Sequence, residues 1–184
     1  MRITTGSVTF TDGFANSGTV EGRLTTNNDG TITWTPDPAA NDFNGDALSD
    51  ILLQNTSSGQ VSVWEMDGNT IIGGGPVANP GPNSKAIGTG DFNHDGNSDI
   101  LMQNTSSGQV SIWEMNGNTI IGGGPVANPG PSSHAIGTGG GGSDILMQNT
   151  SSGQVSVWEM NGNTIIGGGP VANPGPSWRA VDLT

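Results

Sequence analysis

Residues 42–90 read DFNGDALSDILLQNTSSGQVSVWEMDGNTIIGGGPVANPGPNSKAIGTG, and residues 91–139 repeat that text with eight substitutions. A third copy follows from Ser143 as SDILMQNTSSGQVSVWEMNGNTIIGGGPVANPGP. The period is 91 − 42 = 49 residues. Trp64, Trp113 and Trp158 mark it, spaced 49 and then 45 apart, and the four missing residues lie where DFNHDGN gives way to Gly140-Gly141-Gly142. Self-similarity at a fixed period of this length marks a repeat architecture, in which each unit buries its faces against its neighbours.

Turn signals divide each repeat into strands. Ser49 to Asn55 is a short apolar run that stops at Thr-Ser-Ser-Gly. Gln60 to Met66 alternates, with Val61, Val63 and Glu65 on one face and Ser62, Trp64 and Met66 on the other. Asp67-Gly68, Asn116-Gly117 and Asn161-Gly162 are two-residue hairpin turns. A third strand begins at Thr70 to Ile72, and Gly73 to Pro82 is too rich in Pro and Gly for a central strand, so it is expected to be an edge and a loop. Lys85 to Asp91 gives a fourth strand. Four antiparallel strands per repeat amount to one β-propeller blade. A parallel β-solenoid is the other architecture of this periodicity, and the tight hairpin turns argue against it. Trp178-Arg179-Ala180-Val181 stands where Ser84-Lys85-Ala86-Ile87 stands in the first copy, so the repeat text runs into the first strand of a further blade.

The composition agrees with an all-β chain. Of 184 residues 32 are Gly and only 11% are charged, too few helix-forming residues for long amphipathic helices. Sixteen acids against Arg2, Arg23, Lys85 and Arg179 give a net charge of −12, which repels nucleic acid and attracts divalent cations. With no Cys, disulfides and thiolate-bound zinc are excluded. No apolar run reaches membrane-spanning length. The start, Met1 to Gly6, has no apolar core of a signal peptide, so either export uses another signal or the chain is a piece of something larger. Residues 1–40 lie outside the repeat and are expected to form a separate β-hairpin segment. Val8 to Phe10, Gly18 to Thr26 and Thr31 to Thr35 alternate like strands, with a hairpin turn at Asn28-Asp29-Gly30. The segment is either a degenerate blade or the end of an adhesin module: GTVEGRLTTNNDGTITWTPDPAA is similar to the closing hairpin of bacterial cadherin-like repeats.

The residues with chemical potential are Asp42-Phe43-Asn44-Gly45-Asp46-Ala47-Leu48-Ser49-Asp50 and the twin Asp91-Phe92-Asn93-His94-Asp95-Gly96-Asn97-Ser98-Asp99. Side-chain oxygens at positions one, three, five and nine, with the position-seven carbonyl of Leu48 or Asn97, can converge on one hard cation, and calcium takes about 6–8 oxygen ligands. Asx turns ahead of strands are the plainer alternative. Two copies in register with a repeat favour calcium.

DFNGD followed by SDILLQN and GQVSVWEMDG resembles the FG-GAP/VCBS repeats of bacterial secreted proteins and integrin-type propellers, over residues 42–184. The resemblance implies β-propeller blades (42–90, 91–139 and 140–184), with calcium in the loop between the first two strands of a blade. It carries Asp42, Asn44, Asp46 and Asp50, then Asp91, Asn93, Asp95 and Asp99, into the role of ligands. Ala47 stands where the family has glycine, so the first site is expected to be the weaker. The third copy keeps only Asp144 of its loop, so no ion is expected there.

Other candidates are weaker. Trp64, Trp113 and Trp158 could stack on sugars, but a mid-strand Trp between blades is more often core. Trp178, in the terminal loop region, is the better glycan candidate. Glu65, Glu114 and Glu159 recur identically, which suggests structure and not a unique acid/base pair. His94 and His134 sit in unrelated contexts without zinc spacing. No G-x-S-x-G elbow or phosphate loop is present. The expected protein is therefore a non-catalytic, calcium-binding, extracellular recognition or cell-adhesion module, with carbohydrate as a candidate ligand. The alternative is a structural module whose blades associate with other chains into a ring or filament, and self-association or another extracellular protein is the expected partnership.

Overall fold

A computed structural model describes residues 39–139 and 143–181 in full, and strands 3–11, 17–26 and 32–36 as backbone. The chain forms two compact units, Met1–Ala39 and Ala40–Thr184. The first unit is an antiparallel sheet of β1 (Ile3–Thr11), β2 (Ser17–Thr26) and β3 (Ile32–Pro36), in that order. The turn expected at Asn28-Asp29-Gly30 lies outside the described residues.

The described part of the second unit is three antiparallel sheets. The first holds β4 (Ile51–Gln54), β5 (Val61–Asp67) and β6 (Thr70–Ala78). The second holds β7 (Ser84–Gly90), β8 (Asp99–Asn104), β9 (Val110–Asn116) and β10 (Thr119–Ala127). The third holds β11 (Ser133–Gly139), β12 (Asp144–Asn149), β13 (Val155–Asn161) and β14 (Thr164–Ala172). The chain is all-β, and every described strand pair is antiparallel.

Repeat text and sheet are out of step. The strand expected to close the first copy pairs forward instead, Ser84 opposite Asn104 and Gly90 opposite Asp99. Pro80 and Pro82 follow β6 and block its continuation, while the tight Asp91–Ser98 loop folds β7 back onto β8. Among the described residues the first sheet therefore lacks a counterpart of β7 and β11. Asn41 stands at that place, its carbonyl accepting the Asp50 amide at 2.9 Å.

The Gly/Pro stretch forms the outer edge strand of each sheet, as its composition predicts. It is bulged, with Ile120 opposite Met115 but Gly122 opposite Glu114. Gly123 has φ +85, and a Cβ there would stand 2.3 Å from the Ile112 carbonyl oxygen, so a side chain is excluded.

The alternation in β5 and its copies places opposite faces against different neighbours. Phe43, Val61 and Val63 of the first copy meet Ile100, Met102 and Met115 of the second sheet. Phe92, Leu101, Val110 and Ile112 meet Ala135, Ile145, Met147 and Met160 in the same way. Strand β8 is therefore buried on both faces, with Ile100 and Leu101 each at 0% exposure. Trp113 and Trp158 pack at the margins of these two cores, whereas Trp64 stays 41% exposed.

A glutamine in β4, β8 and β12, buried at Gln103 and Gln148 and half-buried at Gln54, ties each sheet to the chain beyond. Gln103 Nε2 donates to the Ser133 carbonyl at 2.8 Å, and its Oε1 accepts the Ala135 amide at 3.0 Å. Gln54 holds Ser84 and Ala86 likewise. Gln148 holds Trp178 and Ala180, both at 3.0 Å.

Candidate functional site

Each acidic loop is knitted by its own side chains. In the first, Asp42 Oδ1 accepts the Gly45 amide at 2.7 Å and Oδ2 accepts the Ala47 amide at 2.8 Å. Asn44 accepts the Asp46 amide through Oδ1 and donates to Asp46 Oδ2 through Nδ2, and Asp46 Oδ1 accepts the Leu48 amide. The second loop repeats this with Asp91, Asn93, Asp95 and Asn97. Positions one, three and five are thus gathered in one turn, with oxygen-only donors of the kind a hard cation requires.

Position nine is differently placed. Asp50 Oδ1 accepts the Met66 amide and Oδ2 the Phe43 amide, both at 2.9 Å. Asp99 accepts the Met115 and Phe92 amides at 2.9 Å and the Asn93 amide at 3.3 Å. These carboxylates fasten the loop to the neighbouring strand. Among the described residues no three His, Cys, Asp or Glu side chains converge at metal-binding distance. Asp99 is buried, and desolvation pushes its carboxyl from 3.8 to about 7 against the pull of its three amide donors.

Both loops need left-handed backbone at two positions. In the first these are Gly45 (φ 75) and Ala47 (φ 65); in the second, His94 (φ 61) and Gly96 (φ 93). Each loop therefore carries one non-glycine residue there, where the sequence drew attention to Ala47 alone. Histidine visits this region more readily than alanine, which has no local hydrogen bond to offer. Ala47→Gly should raise stability by about 0.5–1 kcal/mol, the left-handed strain less the added chain entropy of glycine. His94→Gly should gain less. Chemical denaturation of both variants checks the order.

The loops also reach their neighbours. The Ser98 amide donates to the Asp42 carbonyl at 2.5 Å, the Gly117 amide to the Phe43 carbonyl at 2.6 Å, and the Gly162 amide to the Phe92 carbonyl at 2.7 Å. The third loop, Gly140–Gly142, lies outside the described residues. Asp144, its remaining acid, opens β12 opposite Gly139 and Glu159.

Two twin clefts lie beside the partly buried tryptophans. One, of about 390 Å³, is lined by Trp113, Met102, Asn104, Gln109 and Ser111, with Pro80 from the first copy. The other, of about 500 Å³, repeats it with Trp158, Met147, Asn149, Gln154, Ser156 and Pro129. Trp178 is 65% exposed and lines neither. Glu65, Glu114 and Glu159 lie directly against Gly73, Gly122 and Gly167, where a Cβ would fall 2.1–2.2 Å from a carboxylate oxygen. His94 is exposed on its loop. Sequence reasoning missed the glutamine ties; the available signal was a polar residue at one fixed offset in every apolar SDIL run.

The stacked repeat sheets and their acidic loops define a β-rich repeat module. Residues 42–102, from the first acidic loop through the second and into β8, match the FG-GAP-like repeat family model. No curated protein matches the chain. Among the described residues no helix is long and apolar enough to cross a membrane.

Proposed function

We propose that this chain is a non-catalytic recognition module of the secreted bacterial type, built of β-propeller blades, that binds calcium in its two acidic loops and glycan in its Trp113 and Trp158 clefts. The observation that carries the reading is the cleft made twice: the same Trp and Met floor and the same Asn, Gln and Ser rim, at volumes suited to a small ligand. An aromatic floor suits the apolar face of a sugar, and amide and hydroxyl groups suit its hydroxyls.

Calcium would be held by Asp42, Asn44 and Asp46, with the Leu48 carbonyl and Asp50, and by Asp91, Asn93 and Asp95, with the Asn97 carbonyl and Asp99. It supplies positive charge to acids that otherwise repel one another. The chain's own part is to hold position nine on backbone amides and to set Phe43 and Phe92 into the cores between sheets.

Calorimetry should give two calcium equivalents, the second loop binding more tightly, and chelator should lower the melting temperature. No heat of binding together with an unchanged melt would sink the calcium part. A glycan array probed in calcium should give hits that weaken in Trp113→Ala and Trp158→Ala. An array without hits would remove the glycan part and leave the calcium part standing.

A further inference from the structure

We propose that two copies of this chain join head to tail, Trp178–Val181 of one copy adding as the missing inner strand to the β4 edge of the other.

The chain already makes this junction twice within itself. At each one, the first strand of a sheet is held by the glutamine of the preceding sheet and pairs with the second strand of its own: β7 is held by Gln54 and pairs with β8, and β11 is held by Gln103 and pairs with β12. Trp178–Val181 shows the first half of that arrangement without the second. Gln148 holds Trp178 and Ala180 as Gln103 holds Ser133 and Ala135, yet this segment pairs with no described strand. Strand β4 shows the complementary deficit: among the described residues it pairs with β5 alone.

The faces match as well. Ile51, Leu53 and Trp64 stand where Ile100, Met102 and Trp113 do in the second sheet, and Ile51 and Trp64 are each 41% exposed while Ile100 is fully buried. On the third sheet Leu146, Val155 and Val157 occupy the positions of Leu101, Val110 and Ile112, which inside the chain cover the next sheet. Leu146, Val155 and Val157 are themselves half-buried, and the two faces are partners by repeat equivalence. The third sheet has no counterpart of Phe43 or Phe92, so the junction is weaker than the internal ones.

Transferred from β7 and β8, the register sets Trp178 opposite Asn55, Arg179 opposite Gln54 and Ala180 opposite Leu53. It also places Trp178 where Ser84 lines the Trp113 cleft, and Pro174 where Pro80 does. The junction would thus complete a third cleft, over Trp64, with two tryptophans drawn from different copies. The three described repeat sheets of each of two copies make six, within the usual range of about 4–8 for a closed ring. With a net charge of −12 on each copy, association should tighten as salt rises.

The chain has no native cysteine, so a cross-link reads the register directly. Leu53→Cys and Ala180→Cys, mixed and oxidised, should give a covalent dimer, since directly opposed residues fall within disulfide reach. Ala180→Cys mixed with Ile71→Cys, on the far hairpin, should give none. Light scattering on the unmodified chain should show mass rising with concentration to two copies, and Trp178→Ala should shift that curve to higher concentration with its melt unchanged. A concentration-independent monomer without cross-linking would overturn the proposal. So would equal cross-linking in the Ile71 control, or a disulfide closing within single chains that carry both cysteines.

Discussion

Phe92→Ala should cost about 3–5 kcal/mol, enough to detach the third sheet from the second before the rest unfolds. Phe92 has no exposed surface and lies in one core with Val110 and Ile112 of its own sheet and Ile145, Met147 and Met160 of the next. The surroundings are poorly placed to collapse into the space it would leave. Its amide is held by Asp99, and its carbonyl accepts the Gly162 amide of the facing hairpin, so the backbone beneath the ring is fixed from both sides. Phe43→Ala should act alike on the junction between the first and second sheets, where Phe43 is equally buried and its carbonyl accepts the Gly117 amide. Hydrogen exchange should show protection lost first in β11–β14 for Phe92→Ala and in β4–β6 for Phe43→Ala. A loss under about 1 kcal/mol in either variant would contradict this account of the core.

Asp99→Ala is the second large effect, again about 3–5 kcal/mol, because it strands the Met115, Phe92 and Asn93 amides in a buried place. Asp50→Ala strands two amides and should lose less. The raised carboxyl of Asp99 also gives the metal-free chain a pH dependence. Its folded value, about 7, lies above the ordinary 3.8. The folded state therefore binds the proton more tightly than the unfolded state. That stabilisation is complete below about pH 4 and is lost as pH rises through about 7. The chelated protein should melt higher at pH 5 than at pH 8, and Asp99→Asn should flatten the slope. Calcium, if held there as proposed, would favour the carboxylate and flatten the slope too. A slope unchanged in Asp99→Asn would assign the dependence to other groups.

What the sequence made legible was whatever is periodic or local. Alternation in Gln60–Met66 correctly separates Val61 and Val63 from the face that carries the Trp and Met, since side chains on a strand have only two directions. Asn116-Gly117 and its relatives locate the hairpins, because few residue pairs tolerate that backbone, but one residue early: Asn116 pairs with Thr119, so the turn residues are Gly117 and Asn118, with glycine supplying the positive φ at the first. The Gly/Pro stretch is legible as an edge for the same reason. The grouping of strands into sheets was less so. A repeat can be cut at any phase, and only the pairing of Ser84–Gly90 with β8 fixes the cut between Ala78 and Ser84. In the acidic loops, spacing identified positions one, three and five as a group. It could not reveal that Asp50 and Asp99 spend one oxygen on an amide of a strand sixteen residues away and the other on an amide of their own loop. Nor could it reveal that His94 shares the backbone burden of Ala47, because φ is not written in residue spacing.

The glutamine ties have a consequence for how such arrays diversify. Gln54, Gln103 and Gln148 grip only main-chain atoms, the carbonyl of one residue and the amide two further on. Side chains at the gripped positions are not inspected. Ser84, Ser133 and Trp178 can therefore succeed one another at one address, and Lys85, His134 and Arg179 at the next, without loosening the stack. Ser84 and Ser133 each border a cleft. Duplication of a unit followed by drift at residues the joint does not read would let neighbouring clefts acquire different tastes while every copy still fits its neighbour.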